Sequence, residues 1–177
     1  MKKIVLVVLV GLLIGTAVFA DHPNSLGIGI IGGGGYGGEG FGYPGLSLKV
    51  PGVPVFWGIY CPINSYGSGV GVTGDYYLFD SNLVTNDLTN EDGTYKLRLD
   101  WYLGLGGFMH MFFWPDDFNF DIGVRVPVGL SWHIIKELEL FFGIHPGVGF
   151  WFGDGRFPVH IFIGGELGLR LWLKEKE

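Results

Sequence analysis

The sequence predicts an all-β protein: an eight-stranded antiparallel up-and-down transmembrane β-barrel, preceded by a signal peptide. Three observations predict it. The chain is hydrophobic yet has no helix-spanning segment after its first twenty residues, long stretches alternate apolar and polar residues with period two, and the charges within those stretches fall on one face.

The first element is the leader. Lys2 and Lys3 are followed by an apolar run from Ile4 to Val18 and by Val18-Phe19-Ala20, whose small final residue suits cleavage before Asp21. Residues 1–20 are therefore read as a signal peptide and 21–177 as one barrel domain, since 177 residues fit a single domain. Without the two leader lysines, nine basic residues face seventeen acidic ones, a net charge of −8. An acidic chain without a basic patch argues against nucleic acid as a partner. Cys61 is the only cysteine, which rules out an internal disulfide.

Mean hydropathy of +0.37 and 48% hydrophobic residues look membrane-like. A spanning helix, however, needs roughly twenty consecutive apolar residues, and none follows Ala20. The longest uncharged run, Val50 to Gly74, contains Pro51, Pro54 and Pro62 among many glycines, which a helix interior does not tolerate. The other structure that satisfies all its backbone polar groups in lipid is a closed β-barrel.

The strands follow in order. The first four are expected at about 25–33, 41–50, 53–63 and 68–79. From Tyr95 to Met111, Leu97, Leu99, Trp101, Leu103 and Leu105 oppose Lys96, Arg98, Asp100, Gly104 and Gly106. From Phe118 to Ile134 the alternation is unbroken, with Phe120, Ile122, Val124, Val126 and Val128 on one face and Asp121, Gly123, Arg125, Pro127 and Gly129 on the other. Leu138 to Phe152 and Val159 to Leu173 repeat the pattern, with Pro146 as a blemish in the first. Successive strand side chains point to opposite faces, so each segment has one apolar and one small or polar face. Eight is an even number, as bacterial outer-membrane barrels require. The expected connections are 33–40, Pro51-Gly52, Asn64 to Gly67, the polar 80–94, Phe112 to Asp117, Lys136-Glu137, and Gly153 to Phe157.

Ten charges fall on the polar faces, five of each sign: Lys49, Asp75, Lys96, Arg98, Asp100, Asp121, Arg125, Glu139, Glu166 and Arg170. All other charges after residue 20 are assigned to connections or ends. A soluble exterior would be dense in Lys, Glu and Thr, whereas these faces are mostly glycine with one or two charges per strand. Small residues with balanced charge suit the interior of a narrow barrel, where side chains must fit and ions must pair. The apolar face then looks outward to lipid. It carries Trp57, Trp101 and Trp132, expected as membrane-interface aromatics.

The final strand, Glu166-Leu-Gly168-Leu-Arg-Leu171-Trp-Leu173, resembles the insertion signal of outer-membrane barrels in Glu166, Gly168, Leu171 and Leu173. The run Gly123 to Trp132, a short turn, and Leu138 to Phe142 resemble the late hairpin of small barrels of the OmpA, OmpX or OmpW type. The resemblance covers the last sixty residues best, and Lys174 to Glu177 extend past the usual terminal aromatic. It implies residence in the cell outer membrane among its lipid, delivery by the barrel-assembly machinery, and a structural or surface-interaction role with a surface ligand as a partner. An OmpW-like barrel implies the alternative, binding or passage of small hydrophobic molecules.

No residue set points to catalysis or to a cofactor. The glycine runs from Gly27 to Gly37 lack the strand-loop-helix context of a dinucleotide site. His110, His133, His145 and His160 share the polar face, but no pair has the local spacing of a zinc site. Ser131 and His133 are same-face neighbours, with Asp121 or Glu139 as an orienting carboxylate, yet no oxyanion donor is visible. The polar-face charges are expected to form a structural network in a side-chain-filled lumen, while the competing reading has glycines 104, 106, 143, 147 and 149 vacate room for a small ligand.

Overall fold

In the computed structural model, residues 22–36, 41–63, 68–90, 93–114, 117–153 and 159–173 are described. The leader and Asp21 lie outside them. The strands are β1 (Leu26–Tyr36), β2 (Phe41–Lys49), β3 (Val55–Tyr60), β4 (Ser68–Asn90), β5 (Gly93–Trp114), β6 (Asp117–Arg125), β7 (Val128–Ile135), β8 (Leu138–Phe152) and β9 (Val159–Leu173). Each pairs antiparallel with its neighbours, and β1 pairs with both β2 and β9, so Gly27 lies between Lys49 and Trp172. That closure removes the sheet edges that would otherwise be unsatisfied.

β6 and β7 are one strand of the ring. Arg125 opposes Gly106 and Val128 opposes Leu103, so the register along β5 runs through Val126-Pro127 without a slip. The ladder lapses there because Pro127 has no N–H. The gap is bridged on both sides: Val126 N donates to Pro146 O at 2.9 Å, and Gly104 N donates to Pro127 O at 2.8 Å. The expected blemish at Pro146 thus faces this break. Counted this way, the ring has eight strands.

The segment expected as a polar connection, 80–94, is instead mostly strand. β4 and β5 pair from Ser68↔Phe113 to Asn90↔Gly93. β3 accompanies β4 only as far as Val55↔Tyr76, so the hairpin runs on past that neighbour at the end of the barrel that carries both termini. Two β-bulges, between Tyr77 and Phe79 and between Asn82 and Val84, shift the phase of β4. Period-two reading stops where the first bulge falls. The boundaries also move at 33–36 and 112–114, expected as connections and found in β1 and β5, and β3 is shorter than 53–63. Pro51-Gly52 forms the β2–β3 turn, with Gly52 at φ 72 and Val53 N donating to Val50 O at 3.2 Å. Glycine serves there because the turn needs a left-handed residue after proline.

The interior is filled by rings seated over glycines. Phe56, Tyr77 and Tyr102 stack across β3, β4 and β5, with centroids 4.3 and 4.4 Å apart. A Cβ at Gly129 or Gly143 would come within 3 Å of the Tyr102 hydroxyl, and one at Gly168 would strike Phe141. Interior glycine therefore makes room for a neighbour's ring.

Candidate functional site: the lumen and its mouth

The polar groups of the lumen fall into three layers. At the mouth on the terminus side, Glu139 on β8 faces Arg170 on β9 directly across the ladder. Arg170 Nη1 donates to both Glu139 oxygens at 3.0 and 2.8 Å, Trp172 Nε1 donates to Oε2 at 2.8 Å, and Ser131 Oγ donates to Oε1 at 2.7 Å. The other side of the guanidinium reaches Ser47 Oγ, with Nη2 donating at 2.8 Å.

His22, ahead of β1, closes this layer. Its Nδ1 bonds Asp80 of the long hairpin, and its Nε2 donates to Glu139 Oε1 at 3.3 Å. Its backbone N–H also donates to Asp80 Oδ2, at 3.1 Å. Burial alone pushes the imidazolium pKa down, but the bonds to Asp80 and Glu139 and their charges outweigh it and raise it to about 9. Both ring nitrogens are thereby donors, as only the protonated ring allows. Neither His22 nor Asp80 was among the expected lumen residues. Asp80 had been assigned to a connection but is 2% exposed.

In the middle layer Arg125 reaches Asp75 with Nε donating to Oδ1 at 2.8 Å and Nη2 to Oδ2. Glu166 stands 3.9 Å from the same guanidinium and 3.4 Å from His145. Toward the other end, Asp121 lies 3.5 Å from His110 and 3.4 Å from His160, while Tyr60 bonds His110 Nε2. Back at the terminus-side mouth, Arg98 Nε donates to Asp100 at 2.7 Å, and His133, the ladder partner of both Arg98 and Glu139, is 3.6 Å from that carboxylate.

Of the ten sequence-derived charges, Lys49, Asp75, Asp100, Asp121, Arg125, Glu139, Glu166 and Arg170 are buried, and Arg98 is half-buried. The side chain of Lys96 lies outside the described residues, although its backbone pairs with Asp87. Trp57 and Trp132 are exposed on the outer wall, and Trp101 stacks there on Phe79 with centroids 6.5 Å apart. In β9, Glu166 and Gly168 face inward while Leu171 and Leu173 are exposed.

The chemistry of the mouth is that of an ion-pair network. His22, His133 and Glu139 bring donor atoms within 4.8 Å of one another, a spacing a metal could use. Both Glu139 oxygens, however, already accept bonds from Arg170, and both His22 nitrogens serve carboxylates. The Ser131 hydroxyl gives its proton to Glu139 and stands 3.5 Å from His133, so the three do not form a serine-histidine relay. The glycines expected to leave ligand space have neighbours over them: Asp75 over Gly106, Tyr102 over Gly143, Phe162 over Gly147, His160 over Gly149. Two lumen voids, one beside Tyr60 and His145 and one beside Ser47 and Thr73, measure about 20 and 10 Å³. Each has room for about one water.

Fold and lumen together define the class: a small closed barrel of eight antiparallel strands with a side-chain-filled interior. The crystal structure of Neisserial surface protein A (NspA) is similar, with a TM-score of 0.53 at 12% identity, covering 84% of this chain and 97% of that one. The N-terminal β-barrel domain of Pseudomonas aeruginosa OprF aligns with a TM-score of 0.40 at 10% identity, over 82% of this chain and 97% of that one. The likeness to NspA supports the barrel fold. No protein-family profile matches the sequence, and no curated protein sequence matches it.

Proposed function

We propose that the chain is an integral barrel of a Gram-negative-type outer membrane, exported by the 1–20 leader, inserted by the barrel-assembly machinery, and serving a structural or surface-interaction role without catalysis. The observation that carries this reading is the outer wall. Among the described residues the only exposed charged side chain is Lys136, in the β7–β8 turn. Large apolar groups such as Ile30, Val124, Leu167 and Ile161 are 54 to 76% exposed. An apolar surface of this extent calls for lipid or a partner. A continuous band around a barrel calls for lipid.

Trp57, Trp101 and Trp132 are assigned to the membrane interface in this reading. Glu166, Gly168, Leu171 and Leu173 are assigned to recognition by the assembly machinery, and the buried charges to holding the ring. The alternative, passage of small hydrophobic molecules, has less support because the lumen glycines are covered by neighbouring side chains. Cell fractionation with heat-modifiable gel migration tests the reading. The protein is expected in the outer-membrane fraction, with boiled and unboiled samples migrating differently. Recovery as a soluble protein with one mobility overturns it.

A further inference from the structure

Lys49 is the cation of the mouth that the network leaves over. It ends β2, is 6% exposed, and forms no ion pair among the described residues. Its Nζ donates to the carbonyl of its own neighbour Val50 at 3.1 Å and lies 5.8 Å from the Phe56 ring. The charge that acts on it is another cation, Arg170. At this layer, Arg170, the His22 imidazolium and Arg98 stand against Glu139, Asp80 and Asp100, so the Lys49 ammonium is surplus by one charge. A buried charge without a counterion is costly.

Lys49 lines a cleft of about 390 Å³ at the barrel rim, together with His22. That volume falls in the range of small-molecule sites. Phe56, Tyr76, Tyr77, Val53 and Pro54 supply apolar walls, and Asn24 also lines it. Asn24 Oδ1 accepts from Gly52 N at 2.8 Å, which ties the segment before β1 to the β2–β3 turn, two parts of the cleft lining. Its amide nitrogen, with no partner among the described residues, is a second donor. One surplus positive charge, an amide donor and aromatic walls select a ligand with one anionic head and a short apolar body.

We propose that this cleft binds a monoanionic amphiphile, a carboxylate or phosphate ester, with its head on Lys49 and its apolar part against Phe56 and Tyr77. The site lies at the rim, outside the filled lumen, and does not depend on passage through the barrel.

The test uses the chain 21–177 refolded in phosphatidylcholine nanodiscs, with backbone amide shifts of Lys49, Phe56 and Tyr77 followed by NMR. At about pH 5.5, where hexanoate and hexyl phosphate both carry mostly one negative charge, the two are expected to give saturable shifts, and hexylammonium none. Inorganic phosphate should bind at least about tenfold more weakly than hexyl phosphate, because it leaves the apolar walls unused. Lys49→Met should weaken hexyl phosphate by at least about tenfold, and Lys49→Arg should restore it to within about threefold. A second disc containing phosphatidylglycerol separates the sources. If hexyl phosphate no longer titrates there and the Lys49 shift is already displaced, the head belongs to a lipid; if it still titrates, the ligand is free. No saturable shift in either disc overturns the proposal. So does equal binding of hexylammonium, or undiminished binding by a Lys49→Met protein whose spectrum shows a folded barrel.

Discussion

Arg125 on β6 grips Asp75 on β4 by reaching across Gly106 of the intervening β5, which is the ladder partner of both. The two charges belong to non-adjacent strands, and the bridge between them exists because the strand in the middle has no side chain there. Arg125→Leu removes the cation, leaving Asp75 buried without its bonded partner and Glu166 with only His145 close by among the described residues. Breaking a buried pair from one side costs about 3–5 kcal/mol. Denaturant midpoints after refolding into lipid vesicles should fall by that amount, and a variant indistinguishable from the parent would count against the pairing. Val126→Arg, one residue on and 40% exposed on the outer wall, is the directional control, with a cost of about 2–4 kcal/mol near mid-bilayer.

Gly106→Ala tests the bridge without touching a charge. The new Cβ would overlap the Asp75 carboxylate and sit 2.9 Å from the Gly74 carbonyl oxygen. Overpacking of this kind costs about 1–3 kcal/mol. In an Asp75→Ala background the carboxylate is gone, so the same change should cost less, with a coupling of about 0.5–3 kcal/mol in a double-mutant cycle. Additive effects would show that Gly106 matters only for its backbone.

These relationships mark how far the sequence could be read. Alternation placed Asp75, Arg125, Glu139 and Arg170 on one face, because a strand's two-residue period is a local property. Which acid meets which base depends on registers such as Asp75↔Gly106↔Arg125, and those are set by the turns and bulges of successive hairpins, which alternation does not report. The period failed at Leu78, where a bulge puts Phe79 outside and Asp80 inside, so a hairpin looked like a polar loop. His22 was missed for a different reason: it lies before any strand, where no periodicity exists to place it. The lumen glycines leave both a filled and a vacant interior open, because sequence shows the missing side chain and not the ring from the next strand, such as Tyr102 over Gly143.

His22 should make stability depend on pH. Its pKa in the folded protein, about 9, lies above the ordinary 6.5. The stabilisation is therefore complete below about pH 6.5 and is lost as pH rises through about 9. The shift corresponds to roughly 3 to 3.5 kcal/mol. Denaturant midpoints of the parent should fall between pH 6 and pH 9.5 by more than those of His22→Gln, which has no proton to lose. Parallel curves for the two proteins would show that the imidazolium does not bridge Asp80 and Glu139.

The long β4–β5 hairpin and Cys61 lie at opposite ends of the barrel, which makes orientation measurable. Cys61 follows β3 at the end bearing the β1–β2 and β3–β4 connections and is exposed, whereas Thr85 is exposed on the hairpin at the end bearing the termini. In an outer-membrane barrel of this topology the termini and the tight turns face the periplasm and the longer loops face outward. A membrane-impermeant maleimide added to intact cells should label the parent at Cys61. A Cys61→Ser protein carrying Thr85→Cys should stay unlabelled until the outer membrane is permeabilised, and should then react fully. Labelling of Thr85→Cys in intact cells, with Cys61 silent, would invert the orientation and place the Lys49 cleft on the outer surface of the cell.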